Sequence, residues 1–153
     1  MLFFFNSNIF NSYRFLFNNL KSDYMKIEEI NNNELIDCFI EFVLNEKEET
    51  LSNIIKLLEN AEFITPAKLI DGEHYDFLAF GSEKSQFRVP VFSNKDEYER
   101  GVEHLKLDNN YEPLVVSIEL FKNFAKNDES FNGLILDIHS GKYIIAKDIL
   151  QIN

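Results

Sequence analysis

The residues whose types could support nucleophilic chemistry are Ser93, three histidines and a surplus of acids. Ser93 ends the alternating stretch QFRVPVFS, directly before an acidic segment. A serine nucleophile needs a histidine base, and that base needs a third group to orient it. Ser93 does not lie in a Gly-x-Ser-x-Gly turn, the strand-to-helix elbow that exposes such a nucleophile. The sequence therefore predicts no catalytic residue.

Metal and cofactor chemistry also lacks a pattern. His74, His104 and His139 stand far apart, no two share a helix at ligand spacing, and no cysteine cluster accompanies them. Many carboxylate pairs can be assembled from 26 acids, so no single pair is informative. We predict no metal and no cofactor. A hydrolase that uses scattered acids is the least favoured hypothesis, since it requires a deep pocket with two acids of perturbed pKa.

A structural role suits Ser93 better. It stands where a strand gives way to a helix, and Asp96 follows three residues later, which resembles a capping box with Asp in place of Glu. Tyr98, Val102 and Leu105 then supply an apolar stripe at helical spacing. We expect Ser93 to be the N-cap of this helix, a cap worth about 1 kcal/mol.

Size and charge limit the classes of protein. The chain has 153 residues, which suits one domain, and a net charge of −11. That charge argues against binding to nucleic acid or to an anionic membrane, and no apolar stretch approaches the roughly 20 residues of a membrane helix. Cys38 is the single cysteine, so no disulfide forms within the chain, and a reducing, cytoplasmic location is predicted.

Residues 1–24 differ from the rest. They hold six of the 16 Phe residues and carry a net charge of +1, which leaves −12 for residues 25–153. Polar residues interrupt the apolar ones, so a signal peptide is not favoured. Two interpretations stay open: a translated upstream segment before a natural start at Met25, or an aromatic-rich helix that docks on the domain or on a membrane surface. The predicted domain is 25–153.

Periodicity indicates an α+β fold. Helical spacing across 33–45 places Leu35, Ile36, Phe39, Ile40 and Val43 on one face, and a second amphipathic helix follows within 46–61. We predict that this N-terminal helical hairpin packs on a mixed, largely antiparallel sheet of about five or six strands, with further short helices. Three of these strands, within 62–91, form a meander. Asn32 or Asn33 is expected to cap the first helix, and Pro66 is expected at a sheet edge or a bulge.

Three segments resemble the SseB N-terminal-domain family. They are AEFITPAK, FRVPVFSNKDEYER and GLILDIHSGKYII, in that order, and the resemblance covers about residues 33–152. The matching positions are Phe63, Pro66, Pro90, Phe92, Ser93 and Gly133 with 134–136. Asp137 and Ile138 depart from the Asn-Pro that the family tends to show. The resemblance implies an α+β fold and no catalytic residue that can be carried over.

Together these observations favour a small acidic, non-enzymatic module that binds an unidentified, possibly basic protein or regulates it. Because proline cannot donate to a ladder, Pro90 places its strand at a sheet edge, and edges can accept a partner strand. Arg88, Pro90, Phe92 and Ser93 are the predicted contact patch. The alternative is an immunity-type protein that neutralises a basic toxin or enzyme. The oligomeric state stays open.

Overall fold

The computed structural model describes residues 15–16, 24–72, 74–81 and 86–152. The helices are α1 Tyr24–Ile27, α2 Asn33–Asn45, α3 Glu48–Leu58, α4 Lys95–Leu105, α5 Ile118–Asn127 and α6 Lys147–Leu150. The strands are β1 Phe15–Leu16, β2 Glu62–Leu69, β3 His74–Phe77, β4 Phe80–Gly81, β5 Phe87–Val91, β6 Glu112–Ser117, β7 Phe131–Leu136 and β8 Tyr143–Ala146. The predicted α+β class and the helical hairpin α2–α3 are confirmed.

The described strands form two four-stranded sheets, where a single sheet of about five or six strands was expected. One sheet has the order β1-β3-β2-β6 and is antiparallel throughout; the other has the order β4-β5-β7-β8, with β5 and β7 parallel. The segment predicted as the middle strand of the meander is divided into two strands, which accounts for the two sheets. Its first part, β3, pairs with β2 as far as Phe77. After Leu78 and Ala79, its second part, β4, pairs with β5.

The two sheets are joined where β2 meets the end of β5. Ile64 and Phe92 exchange both backbone hydrogen bonds, at 3.1 and 2.8 Å, and the Thr65 hydroxyl donates to the Pro90 carbonyl at 2.8 Å. Because β2 is covered on both faces, its buried residues serve two apolar clusters. Phe63 and Ala67 belong to the larger cluster between the sheets and helices, whereas Ile64 packs with Phe92 and Tyr98 under α4.

Neither strand proline lies in an edge strand, so the prediction for Pro90 is wrong; Pro66, predicted at an edge or a bulge, lies where the register of β2 with β6 runs regularly. Pro66 lies in β2, between β3 and β6, and Pro90 lies in β5, between β4 and β7. Each proline stands just past the point where a neighbouring ladder ends: β3 pairs with 67–69 of β2, and β4 pairs with 87–88 of β5. An interior strand therefore tolerates proline at the seam between the sheets, where one side has no ladder to interrupt.

The expected caps also differ. Asn94, not Ser93, is the N-cap of α4, and its side chain accepts a hydrogen bond from the Glu97 N–H at 2.9 Å. Asn32 occupies the N-cap position of α2 but makes no capping bond. Its amide nitrogen donates instead to the carbonyls of Glu62 and Ser93, at 2.9 and 3.0 Å. The side chains predicted as caps therefore hold distant parts of the chain together.

The prediction that residues 1–24 stand apart falls largely outside the described residues. Within that segment, Phe15 and Leu16 form β1 and pair antiparallel with Tyr75 and His74 of β3. Tyr24 begins the short helix α1.

Candidate functional site

The corner after β5 brings Ser93 against Asp137. β5 and β7 are parallel neighbours, so their carboxyl ends meet at one edge of the sheet, and the Asp137 N–H continues the pairing by donating to the Val91 carbonyl at 3.0 Å. The Asp137 carboxylate accepts from the Ser93 N–H at 2.9 Å and from the Ser93 hydroxyl at 2.7 Å. These two bonds explain why Ser93 does not cap α4.

Asp137 is unusual in conformation and in environment. Its φ is +52°, in the left-handed region that Asp and Asn tolerate better than most residues. Its side chain is buried, and this desolvation raises the pKa of the carboxyl, although the two Ser93 donors act in the opposite direction. The nearby charge of Glu97 raises the pKa further.

A second carboxylate, Glu97, organises the neighbouring turn. It lies 3.2 Å from Nε2 of His139 and accepts a hydrogen bond from the Ser140 hydroxyl at 3.0 Å. Nδ1 of His139 is buried and has no hydrogen-bond partner among the described residues. No group of three His, Cys, Asp or Glu within the described ranges is placed to hold a metal ion.

This corner has the residue types of a hydrolytic site without the geometry of one. Ser93 is 1% exposed, so its hydroxyl cannot reach a substrate in this conformation. The Ser93 hydroxyl donates its hydrogen bond to the Asp137 carboxylate and not to a histidine. The His139 ring contacts Glu97 instead. The main cavities of the described chain are lined by other residues. The corner therefore acts as a structural joint between β5, α4 and the turn after β7.

The four residues of the predicted contact patch do not form an exposed surface. Pro90, Phe92 and Ser93 are buried, and Phe92 packs edge-on against Tyr98. Arg88 is half-buried, and its Nε donates to the Asn132 carbonyl at 3.4 Å. The premise of an edge strand fails because β4 and β7 flank β5. These positions build the interior of the fold.

An apolar groove lies elsewhere, between α2 and β8. It has a volume of about 490 Å³. The α2 wall is formed by Phe39, Ile40, Phe42, Val43 and Leu44; the opposite wall is formed by 141–146, and Leu51, Ile54 and Ile149 complete the lining. Phe39 stacks on Tyr143 with ring centroids 5.4 Å apart, which fixes α2 beside β8. Large apolar side chains remain exposed around this groove: Ile40 at 44%, Val43 at 69%, Leu44 at 75% and Ile144 at 42%.

The groove exists because the apolar stripe of α2 is longer than the core beneath it. Leu35 is buried and Phe39 is packed against the core, as the helical spacing predicts. Ile40 and Val43, from the same predicted face, are exposed. Leu44 widens the stripe and is the signal in the sequence that could have revealed the site. Contiguous exposed apolar side chains of this kind mark binding surfaces.

A second cavity, of about 650 Å³, lies between the start of α2 and the end of α3. Its lining is mixed, with Asn53, Asn60 and Glu62 beside Leu35 and Cys38. Desolvation, and then the charges of Glu34, Glu41 and Asp37, raise the pKa of the Cys38 thiol. A raised pKa disfavours the nucleophilic thiolate, so this cavity has no activated nucleophile at Cys38.

No model of a protein family, no curated protein sequence and no solved structure matches this chain. The resemblance to the SseB N-terminal-domain family therefore stays a prediction. Across the described residues, no helix combines the length and the apolarity that crossing a bilayer demands.

Proposed function

We propose that this protein is a non-enzymatic interaction module that binds a basic segment of a partner protein in the groove between α2 and β8. The observation that carries this proposal is the run of exposed apolar side chains Ile40, Val43 and Leu44 beside Ile144. Single exposed apolar side chains are common on protein surfaces. A contiguous set beside a concave surface is instead typical of a recognition site.

Charge supports a basic partner. The chain carries −11 overall. Lys142 lines the groove, but Asp137, Asp37 and Glu97 lie close enough to Tyr143 of the β8 wall for their charges, after burial, to raise its pKa. Complementary charge of this kind raises association rates and excludes acidic partners. A cytoplasmic location and membership of the SseB-like family remain parts of the same proposal, and the single thiol of Cys38 is compatible with a reducing compartment.

The same acidity favours a second candidate, an immunity-type protein that neutralises a basic toxin or enzyme. The two candidates differ in how far charge dominates binding. A charge-driven inhibitor loses its partner steeply as salt rises, whereas binding that depends on the apolar groove changes less.

The experiment compares partners retained by the full-length chain and by two variants, at low and at high salt. Val43→Asn removes an apolar contact from the groove without adding charge. Ile70→Asn is the matched control, since Ile70 is also an exposed large aliphatic residue but lies after β2, outside the groove. We expect a protein that wild type and Ile70→Asn retain from extracts of the source cells and that Val43→Asn loses. Equal retention by all three chains would contradict the proposal.

A further inference from the structure

Within the described residues, β8 is an edge strand of its sheet. Residues 141–146, which include the whole of β8, line the groove without interruption. An unpaired strand edge presents N–H and C=O groups that another strand can bind. We infer that an extended segment of the partner adds to β8 as a fifth strand of this sheet, which rests on the function proposed above.

Among the described sheet ends, β8 is the one built to accept a strand. β1 and β4 are two residues long, and β6 contains Pro113. β8 has the sequence Tyr-Ile-Ile-Ala, four residues without proline or charge. Natural edges are usually protected by proline, by charge or by short length, and the four residues of β8 lack the first two devices. Neither proline nor charge within β8 would therefore oppose an added strand.

The opposite wall sets the side-chain pattern of the added strand. Successive side chains of a strand point to opposite faces, and paired strands lie about 4.7–4.9 Å apart. Side chains at every second position would therefore enter the groove, where Ile40 and Val43 of α2 lie. A volume of about 490 Å³ is in the range of natural ligand pockets, which hold several aliphatic groups. The occupant is thus apolar at alternate positions.

Charge indicates which residues occupy the intervening positions of the added strand and argues against two other occupants. Among the described residues that line the groove, the one charged residue is Lys142. Acids surround the β8 wall, however: burial first, and then the charges of Asp137, Asp37 and Glu97, raise the pKa of Tyr143. This negative field favours Lys or Arg at the intervening positions. A second copy of this chain would bring a further −11 and another acidic α2 to the interface. Residues 1–14 of the chain itself carry one basic residue, Arg14, at their far end. A basic, alternating segment of another protein fits best.

The probe is a synthetic peptide, Lys-Val-Lys-Ile-Lys-Val-Lys, titrated into the full-length protein. Alternate backbone N–H groups of a strand point to opposite sides, so two N-methylated versions discriminate strand addition. One carries the methyl groups on the Lys amides, the other on the Val and Ile amides. We expect one version to bind as the parent does and the other to lose binding. Equal behaviour of the two versions, or no binding of the parent peptide, would overturn the inference.

Protein variants complete the test. Val43→Asn removes an apolar contact without adding charge and should weaken the parent peptide by about tenfold or more, the usual effect of disrupting a central apolar contact, while Ile70→Asn should leave its affinity unchanged. Homodimerisation that Val43→Asn abolishes would assign the groove to a second copy and overturn this occupant. Partner retention in cell extracts tests the proposed function separately. If Val43→Asn loses a cellular partner while the two N-methylated peptides bind alike, the proposed function stands and strand addition is refuted.

Discussion

Replacing Asp137 tests whether the corner between β5 and β7 is structural. Asp137→Ala removes the acceptor of two buried donors, the Ser93 N–H and the Ser93 hydroxyl. Asp137→Asn keeps an acceptor for the N–H, and the hydroxyl can rotate to accept from the new amide. Asn also tolerates the left-handed backbone that residue 137 adopts, whereas Ala does not.

The expected magnitudes separate the two variants. A buried donor left without a partner costs about 1–3 kcal/mol, and a left-handed conformation costs roughly 1–2 kcal/mol for a residue such as Ala. Because two donors lose their acceptor, these terms together give a loss of about 3–8 kcal/mol in the free energy of unfolding for Asp137→Ala, at the lower end if water reaches the cavity. Asp137→Asn should stay within about 1 kcal/mol of wild type.

The pH dependence has a definite sign. Because burial raises the pKa of Asp137 in the folded state above its value of 3.8, the folded chain binds this proton more tightly than the unfolded chain. The stability contributed by the protonated carboxyl is complete below about pH 4 and is lost as pH rises through the raised pKa. Asn has no such titration. The free energy of unfolding of Asp137→Asn should therefore increase relative to that of wild type as pH rises through this window.

Urea denaturation of wild type and both variants, from about pH 4.5 to 8, measures these quantities. A loss under about 1 kcal/mol for Asp137→Ala, or equal losses for Ala and Asn, would refute the structural account of the corner. A difference between Asn and wild type that is independent of pH would refute the assigned effect of burial.

Three further results are expected. Gly101→Ala should destabilise by about 1–3 kcal/mol in the same assay, because an added Cβ would overlap the buried Phe92 ring; an unchanged midpoint would contradict this packing. Asn94→Ala should cost about 1 kcal/mol through the lost cap, while no loss would mean that Asn94 does not cap α4. Iodoacetamide should alkylate Cys38 at pH 7 more slowly than a free thiol, given its raised pKa, and faster alkylation would contradict that direction.

Local pattern was sufficient for most elements of this fold. Helical spacing predicted α2, α3 and α4, and the local pattern within 62–91 predicted three strands, because each depends on residues close in sequence. The division into two sheets could not be predicted in this way. It depends on the break at Leu78 and Ala79 and on the bridge between Ile64 and Phe92, which joins residues distant in the chain.

The corner and the groove could not be predicted from the sequence, for two different reasons. Ser93 and Asn94 are both good capping residues, and the choice between them is decided by Asp137, 44 residues away. In α2, the apolar stripe gave the correct face, but whether Val43 is covered depends on what lies opposite that end of the helix. Periodicity reports which side chains share a face and carries no information on how far the core extends.

The most direct test of the groove as a binding surface is photo-crosslinking in the source cells. A photoreactive amino acid replaces Val43 in the full-length chain, and in a parallel chain it replaces Ile70, which is exposed outside the groove. Adducts are separated by mass and identified. We expect a defined protein adduct from position 43 that position 70 does not give. No adduct from position 43, or the same adduct from both positions, would contradict this expectation.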